Sequence, residues 1–407
     1  MKFGLVSHAL PPSASGQAVT LWHLLRGVPA EGYCLMSGRD WEGSGAPGLA
    51  SQRLPANYYR LPEEFVIRRG YRFGVNWARQ GFNIPYGVAR RARRIRRILE
   101  REGCRAVVAC TGELLDLPAA YLAARGLGLP IYAYIFDHYS YREWYDPVMQ
   151  AWARRIESKV FRRAEKVIAV NEVLRDDLRS QYGVEPALIH NSFDIRPYAA
   201  LADEPFEPRP DGEVRIVYTG AIYEAHYDAF RNLLAALERL GRPEVKLHAY
   251  TTQRAEELAG RGIGGPAVVF HPHLSVAEMP GVQRRADLLF LPLAFESPYP
   301  DLVRTSAPVK FGEYLASRRP VLVHAPPRSF ISWYCREHDC GVVVDESDPA
   351  KLAEAIGRVL SDGPLQARLG ERGWERARAD FDADEARRAF LNLLGDGARA
   401  RARVTSV

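Results

Sequence analysis

The sequence is poor in cysteine, with five in 407 residues. They are scattered and never form a CxxC pair, so neither a disulfide framework nor a zinc site is indicated. Long hydrophobic runs are also missing. The longest, Leu288–Phe295, has eight residues, whereas a membrane-spanning helix needs about 20. The short apolar run Phe3–Val6 is not typical of a secretory signal peptide. These absences favour a cytoplasmic protein.

Negative charge is scarce at the start of the chain. Residues 1–110 hold 17 Lys plus Arg and 7 Asp plus Glu, a net charge of +10, so the remaining residues carry −4. The excess of arginine peaks between Arg68 and Arg97. Within this basic segment, one apolar stripe recurs at helical spacing and predicts an amphipathic helix: Val88, Ala92, Ile95 and Leu99.

Two interpretations of the basic segment Arg68–Arg97 remain open. Its arginines form a solvated helix face, or they dock on an anionic membrane surface, where each basic residue contributes about 1 kcal/mol. Nucleic acid is not expected as a partner, because no DNA- or RNA-binding motif accompanies the charge. The predicted localisation is therefore cytoplasmic, with peripheral attachment to the inner face of the membrane as an option.

Short β-branched runs alternate with amphipathic stretches along most of the chain. This alternation predicts an α/β fold with two doubly wound parallel-sheet, Rossmann-like domains that face a cleft. Ligands of such sheets bind at the carboxyl ends of the strands. The predicted divisions are an N-terminal domain 1–195, a linker 196–213, a C-terminal domain 214–380, a helix 381–394 that returns to the N-terminal domain, and a disordered tail 395–407.

Two local patterns suggest anion binding. A Ser- and Gly-rich loop leads from the first strand to a helix near Gly16, where main-chain N–H groups and the helix dipole favour an anion. This loop also suits a simple helix cap. Lys310 and Glu313 share one face of a predicted first helical turn. They suit a diphosphate and two ribose hydroxyls respectively, or an ion pair with each other.

The sequence PVKFGEYLASRRPVLV resembles the donor-site segment of GT-B glycosyltransferases, especially the family 4 retaining type. The resemblance extends along nearly the whole chain and includes these segments: VIAVNEVLRDDLRSQYG, IHNSFD, IVYTGAI and HPHLSVAEMPGVQRRADLLFLPL. It implies the GT-B architecture and transfer of a sugar from a nucleotide-diphosphate donor.

The resemblance also implies a set of donor contacts. Glu313 matches the second Glu of the family's Glu-x₇-Glu pair, whereas Thr305 stands where the first Glu is expected. The turn after Gly220 lacks the usual Arg and Lys, and the first Arg or Lys that follows is Arg231. The implied donor-binding residues are Gly16, Gly220, Arg304, Thr305, Ser306, Lys310 and Glu313.

On the acceptor side, Asp137 and His138 follow a predicted strand where such enzymes often carry a group that faces the sugar. A structural role for this histidine is the alternative. His8 is a further candidate, and an aromatic cluster after His138 either stacks on an acceptor sugar or packs within its loop. The implied catalytic residues are Asp137 and His138, and the implied acceptor-binding residues are His8, Tyr139, Tyr141 and Trp144.

The function that the resemblance implies is transfer of a hexose-like sugar to a saccharide or lipid-linked glycan acceptor in polysaccharide or glycolipid synthesis. It implies retention of anomeric configuration, no metal and no cofactor beyond the nucleotide-sugar. Two alternatives remain open at this point. One is another GT-B enzyme, either an inverting transferase or a sugar-nucleotide epimerase. The other is a protein that binds a nucleotide or glycan without turnover.

Overall fold

The structure, a computed structural model, describes residues 1–13, 15–39, 41, 52–63, 76–140, 146–201, 212–272 and 274–404. For residues 76–80 and 396–404 it describes the backbone only. The chain forms two compact units. The N-terminal unit comprises residues 1–190 and 384–407, and the C-terminal unit comprises residues 191–383.

The N-terminal unit is built on seven parallel strands within the described residues. The strands are β1 (Phe3–Val6), β2 (Tyr33–Ser37), β3 (Asn57–Arg60), β4 (Ala106–Cys110), β5 (Ile131–Ile135), β6 (Lys166–Ala169) and β7 (Ala187–Leu188). Their order in the sheet is β3-β2-β1-β4-β5-β6-β7. The register places Leu5 of β1 between Leu35 of β2 and Val108 of β4. These central strands are buried throughout, because helices cover both faces of a doubly wound sheet.

Within the described residues, five helices connect these strands. They are α1 (Gly16–Leu25), α2 (Asn76–Glu102), α3 (Asp116–Gly126), α4 (Pro147–Phe161) and α5 (Glu172–Tyr182). Polar side chains cap several of them where the strands end. Asn171 accepts a hydrogen bond from the main-chain N–H of Leu174 at 2.8 Å and starts α5, and Gly183 ends it in the left-handed region with φ 63°.

The C-terminal unit contains a second parallel sheet, of six strands within the described residues. The strands are β8 (Val214–Thr219), β9 (Val245–Tyr250), β10 (Val268–His271), β11 (Leu288–Pro292), β12 (Val321–His324) and β13 (Val342–Val344). Their order is β10-β9-β8-β11-β12-β13. The core beneath the sheet includes Phe230, Leu247, Phe290 and Ile356, all fully buried.

Nine helices accompany this sheet within the described residues. They are α6 (Arg196–Ala200), α7 (Tyr227–Leu240), α8 (Ala255–Ala259), α9 (Met279–Arg284), α10 (Pro300–Thr305), α11 (Lys310–Ala316), α12 (Phe330–His338), α13 (Pro349–Ser361) and α14 (Gly363–Asp380). None of the helices that the structure describes is long and apolar enough to cross a membrane.

The last helix, α15 (Ala383–Val404), belongs to the N-terminal unit from residue 384 onward. Its Phe390 ring meets Phe3 edge-to-face at 5.7 Å, and Arg387 donates hydrogen bonds to the carbonyls of His23 and Leu24. The backbone is helical to Val404, so residues 395–404 of the predicted disordered tail 395–407 belong to this helix, and residues 405–407 lie outside the described residues.

The predicted fold class of two Rossmann-like α/β domains is confirmed. The divisions between the parts of the chain differ from those predicted. The N-terminal unit's first segment ends at His190, and part of the predicted linker 196–213 is helix α6 of the C-terminal unit. Residues 202–211 of that linker lie outside the described residues.

Candidate active site

The C-terminal sheet changes winding direction between β8 and β11. The chain adds β9 and β10 on one side of β8, then returns and adds β11, β12 and β13 on the other. The carboxyl ends of β8 and β11 therefore flank a crevice of the kind in which doubly wound sheets bind ligands. Gly220 follows β8 directly, and its φ of 116° lies in the left-handed region that favours glycine.

Lys310, the first residue of α11, lies over Gly220. A Cβ atom added to Gly220 would approach the Lys310 Nζ to 2.8 Å. The ammonium group donates a hydrogen bond to the Tyr218 hydroxyl at 2.7 Å and stands 4.0 Å from the centroid of the same ring. Burial lowers the pKa of Lys310 to about 7. A cation with a depressed pKa at a strand end is suited to an anionic ligand that restores its charge.

Glu313 lies one turn further along α11 and is half-buried. Its Oε2 accepts a hydrogen bond from the Gln283 side-chain amide at 3.4 Å. Burial raises the pKa of Glu313, while Gln283 and Lys310 oppose that rise. Among the described residues, the Lys310 ammonium forms no ion pair with the Glu313 carboxylate. The ion-pair interpretation of this spacing is therefore wrong, because each side chain has a different partner.

Three further predicted donor residues lie at the end of α10 and directly after it. Thr305 is fully buried, and its hydroxyl donates to the carbonyl of Asp301 at 2.9 Å within α10. Its side chain is therefore turned inward, and the predicted donor contact, which concerns the main-chain N–H groups from Thr305 to Ala307, stays a prediction. Arg304 is half-buried and lies 3.7 Å from an Asp301 carboxylate oxygen. Ser306 is half-buried, and its main-chain N–H donates to Val303.

A histidine that the sequence analysis passed over lies in the turn after Gly220. His226 is 5% exposed, and its Nδ1 has no hydrogen-bond partner within the described residues. Burial and the nearby Lys310 ammonium hold the pKa of His226 well below its usual range. The exposed Tyr223 ring lies 4.4 Å from it. Its place soon after a strand-end glycine was the available sequence signal.

The N-terminal sheet has its own change of winding direction, between β1 and β4. His8 follows β1 and is half-buried, and its carbonyl accepts a hydrogen bond from Ser37 Oγ at 3.2 Å. Gly112 follows β4 with φ 144°, and a Cβ atom there would overlap the His8 imidazole. His8 thus packs directly on the Gly112 backbone at the crevice where this sheet would bind a ligand.

Asp137 and His138 follow β5, beside this crevice. Thr111 Oγ1 donates to the Asp137 carbonyl at 3.1 Å and accepts from the Phe136 N–H at 3.0 Å, which joins the ends of β4 and β5. His138 is 3% exposed, and its Nε2 lies 3.0 Å from Asp177 Oδ2 of α5. Asp137 is half-buried. Of the two predicted catalytic residues, Asp137 is therefore the more accessible.

Of the three aromatic residues predicted to bind the acceptor, the structure describes only Tyr139. Tyr139 is fully buried, and its hydroxyl donates to the Leu114 carbonyl. It is part of the protein interior, so the prediction that it stacks on an acceptor sugar is wrong. Tyr141 and Trp144 lie outside the described residues.

Gly16 is the first residue of α1 and is exposed. Ser15 caps this helix, because its Oγ accepts the Ala18 N–H at 3.2 Å. Gln17 donates to Ser7 Oγ at 2.9 Å and ties the helix start to the end of β1. The loop thus serves as a helix cap, and it places Gly16 close to the β1 side of the N-terminal crevice.

Part of the basic segment is structural. Arg91 of α2 is 1% exposed and pairs with Glu113 at 2.8 Å and with Asp116 at 2.7 Å. Burial raises the pKa of Asp116 to about 7 despite the attraction of Arg91. Arg68, Arg69 and Arg72 lie outside the described residues. The other arginines of the basic segment with described side chains are on the outer face of α2: Arg90, Arg93, Arg94, Arg96 and Arg97.

Two family models match the chain. The model of Glycosyltransferase Family 4 matches residues 43–196, and the model of Glycosyl transferases group 1 matches residues 213–362, so together they account for about three quarters of the sequence. A curated relative, the lipopolysaccharide core biosynthesis glycosyltransferase LpsE of Rhizobium meliloti (strain 1021), is 36% identical over 62 residues. That match spans 15% of this chain and 18% of the relative.

Solved structures share the fold over almost the whole chain. Anabaena Alr3699/HepE, in complex with UDP and glucose, is 15% identical to this chain, with a TM-score of 0.66. The match covers 97% of this chain and 99% of the HepE chain. Sucrose-phosphate synthase from Thermosynechococcus elongatus is 15% identical with a TM-score of 0.63 and covers 100% of both chains. Together with the family models, this fold and its two strand-end crevices lead to one conclusion: the chain is a glycosyltransferase and belongs to the GT-B enzymes of the group 1 type.

Proposed function

We propose that this glycosyltransferase moves a sugar from a nucleotide-diphosphate-sugar to a saccharide or lipid-linked glycan acceptor, with retention of configuration and without a metal, in cell-envelope polysaccharide or glycolipid synthesis. The observation that carries the proposal is the Lys310 ammonium over Gly220 at the carboxyl end of β8, with Glu313 one turn away. The envelope role is supported by the name of the relative LpsE, whose match is short.

The anionic part of the donor binds around Gly220 in this proposal. Lys310 donates to Tyr218 through one N–H and has no further acceptor among the described residues. The Ala221 main-chain N–H has no acceptor among the described residues either. Both donors sit beside a glycine whose missing side chain allows a phosphate to approach the backbone. Arg304 in the last turn of α10 and Ser306 directly after this helix are the remaining candidates.

The same donors have a catalytic consequence. Negative charge develops on the departing nucleoside diphosphate as the bond to the sugar breaks, and donors fixed at that position lower the barrier by several kcal/mol. No side-chain nucleophile is needed in this scheme, since an oxygen of the donor phosphate accepts the proton of the acceptor hydroxyl. Glu313 accepts hydrogen bonds from ribose hydroxyls through its carboxylate.

The acceptor binds the N-terminal unit in this proposal. His8 follows β1 and Asp137 follows β5, the two strands that flank β4 in the N-terminal sheet, and both residues are accessible in part. Gly16 lies at the start of the helix that follows the His8 loop. The roles of these residues are orientation of the acceptor hydroxyl and of the transferred sugar.

Attachment to an anionic membrane surface belongs to the same proposal. Among the described residues, Arg90, Arg93, Arg94 and Arg97 on the outer face of α2 have no ion-pair partner. Phe82 and Tyr86, 54% and 43% exposed, lie on the same helix and stack at 5.7 Å. Arginines with exposed aromatic rings suit a lipid headgroup layer, and this would bring the enzyme to a lipid-linked acceptor.

The test is sugar transfer from a panel of UDP-, GDP-, ADP- and dTDP-sugars to lipid-extracted and soluble glycans, with Lys310→Met beside the wild type. UDP-sugars are the first choice, because the fold neighbour HepE was crystallised with UDP and UDP-glucose. We expect transfer by the wild type, undiminished by EDTA, and a loss of at least hundredfold in Lys310→Met. A product of inverted anomeric configuration, seen by NMR, would refute retention. A fully active Lys310→Met would remove the proposed donor site.

A further inference from the structure

Gln283 of α9 carries a primary amide in the protein interior, with an exposed fraction of 0%. Its Oε1 accepts a hydrogen bond from the Tyr198 hydroxyl of α6 at 2.8 Å. Its Nε2 lies 3.4 Å from Thr219 Oγ1 at the end of β8 and 3.4 Å from Glu313 Oε2. An amide that is removed from water needs such partners, since an unsatisfied polar group in the interior costs about 1–3 kcal/mol.

The partners of Gln283 are themselves immobilised. Tyr314 is fully buried, and its hydroxyl accepts the Thr219 main-chain N–H at 2.8 Å. The Tyr198 ring is 6% exposed and meets Phe193 edge-to-face at 5.3 Å. The network therefore gives the Gln283 amide one orientation, in which one Nε2 proton points toward Thr219 and the other toward Glu313.

Glu313 is the member of this network that reaches the surface. Tyr198, Thr219, Gln283 and Tyr314 are all buried, whereas Glu313 is half-buried. One carboxylate oxygen, Oε2, is occupied by Gln283. The other, Oε1, has no hydrogen-bond partner among the described residues. A carboxylate that is held at one oxygen and open at the other is prepared to accept a hydroxyl from a ligand.

We propose that Gln283 is a positioning residue that holds the Glu313 carboxylate for a ribose hydroxyl and thereby makes the site select ribonucleoside over 2′-deoxyribonucleoside diphosphates. This inference rests on the proposed function, in which Glu313 accepts the ribose hydroxyls of a nucleotide donor. Gln283 itself touches no ligand. It acts through Glu313, whose rotation away from the crevice it prevents.

The same amide favours the ionised form of the carboxylate. Burial raises the pKa of Glu313, and the hydrogen bond from Gln283 lowers it. The other titratable groups that face Glu313 are Lys310 and Tyr314 of α11 and Tyr198 of α6. Without the Gln283 amide the pKa of Glu313 rises further. The protonated carboxyl group is a poorer acceptor, so the affinity for a ribonucleotide is lost at a higher pH as the pH falls.

The test compares UDP with 2′-deoxy-UDP, and GDP with 2′-deoxy-GDP, by calorimetric titration between pH 5.5 and 8.5. The proteins are the wild type, Gln283→Leu, Glu313→Gln and the double variant. Gln366→Leu is the matched control, because Gln366 of α14 donates to the Val359 carbonyl at 2.8 Å and takes no part in this network. We expect Gln283→Leu to bind the ribonucleotide about tenfold more weakly and to lose less affinity for the 2′-deoxynucleotide, which offers Glu313 only its 3′-hydroxyl.

Further results support or overturn the proposal. The double variant should lose no more affinity than Glu313→Gln alone, because Gln283 acts through Glu313. The acid loss of ribonucleotide affinity should shift to higher pH in Gln283→Leu and not in Gln366→Leu. A folded Gln283→Leu with wild-type discrimination and an unshifted pH profile overturns the inference.

A second variant and the nucleotide binding of the wild type distinguish failure of this inference from failure of the proposed function. Gln283→Glu keeps the shape of the side chain and the acceptor for Tyr198, so it serves if Gln283→Leu does not fold, and the same loss of discrimination is expected. Equal binding of ribo- and 2′-deoxynucleotides by the wild type, with Glu313→Gln unaffected, overturns the inference while the donor site stands. If no nucleoside diphosphate binds the wild type, the proposed function falls and the inference falls with it.

Discussion

Lys310 should make donor binding depend on pH. Its pKa is lowered to about 7 by burial, with Glu313 as an opposing influence. A bound diphosphate restores the ordinary pKa of a lysine, near 10.4, because the anion stabilises the ammonium form. Binding therefore takes up a proton when the free lysine is neutral. The affinity is highest below pH 7 and is lost as the pH rises through 7.

The size of the effect follows from the two pKa values. Between pH 7 and pH 9 the protonated fraction of free Lys310 falls from about one half to about one hundredth, so the affinity for UDP should fall about fiftyfold. UDP itself does not titrate in this range, since its terminal phosphate ionises near pH 6. His226 also faces Lys310, and it is neutral throughout because burial lowers its pKa.

Calorimetric titration of UDP at pH 7, 8 and 9, in two buffers of different ionisation enthalpy, measures both the affinity and the proton uptake. Lys310→Arg keeps the charge at all these pH values, so its affinity should be nearly independent of pH. Lys310→Met should bind weakly at every pH. The reasoning is refuted if the wild-type affinity changes less than threefold, or if Lys310→Arg shows the wild-type slope.

Three further substitutions test the packing around the two crevices. Gly220→Ala forces a left-handed backbone on alanine and places a Cβ atom 2.8 Å from Lys310 Nζ. We therefore expect the unfolding free energy, measured by urea titration, to fall by about 1–2 kcal/mol, and UDP to bind more weakly. Gly112→Ala displaces His8, and it should raise KM for the acceptor without changing UDP affinity; unchanged acceptor kinetics would contradict a role for His8. Arg91→Leu leaves Asp116 buried beside Glu113 without a counter-charge, and it should destabilise the protein by about 3–5 kcal/mol at pH 7; a wild-type urea midpoint would contradict this.

The sequence alone was sufficient for the fold class and for most of the elements around the site. The predicted first helical turn that holds Lys310 and Glu313 is the start of α11, because helix starts are local properties of the chain. Strands β2 and β7 are weakly marked in the sequence. Tyr33–Ser37 lies in a short run without flanking strand signals, and Ala187–Leu188 has only two residues.

The side-chain contacts of the candidate site were decided by the tertiary structure. Lys310 meets Tyr218 across 92 residues of sequence, because α11 returns to the carboxyl end of β8, and no periodicity reports such a contact. The spacing of Lys310 and Glu313 was compatible with an ion pair, yet each found a better-placed partner in a different element.

Burial was the other quantity that the sequence could not supply. Tyr139 and Thr305 have residue types that suit a binding site, but the fold turns both inward. His226 and Gln283 drew no attention as single residues, and they matter because the parallel sheet places a histidine beside Lys310 and an amide behind Glu313. Local pattern determined which elements form, whereas the packing of distant strands and helices determined which polar groups lose water and which remain available to a ligand.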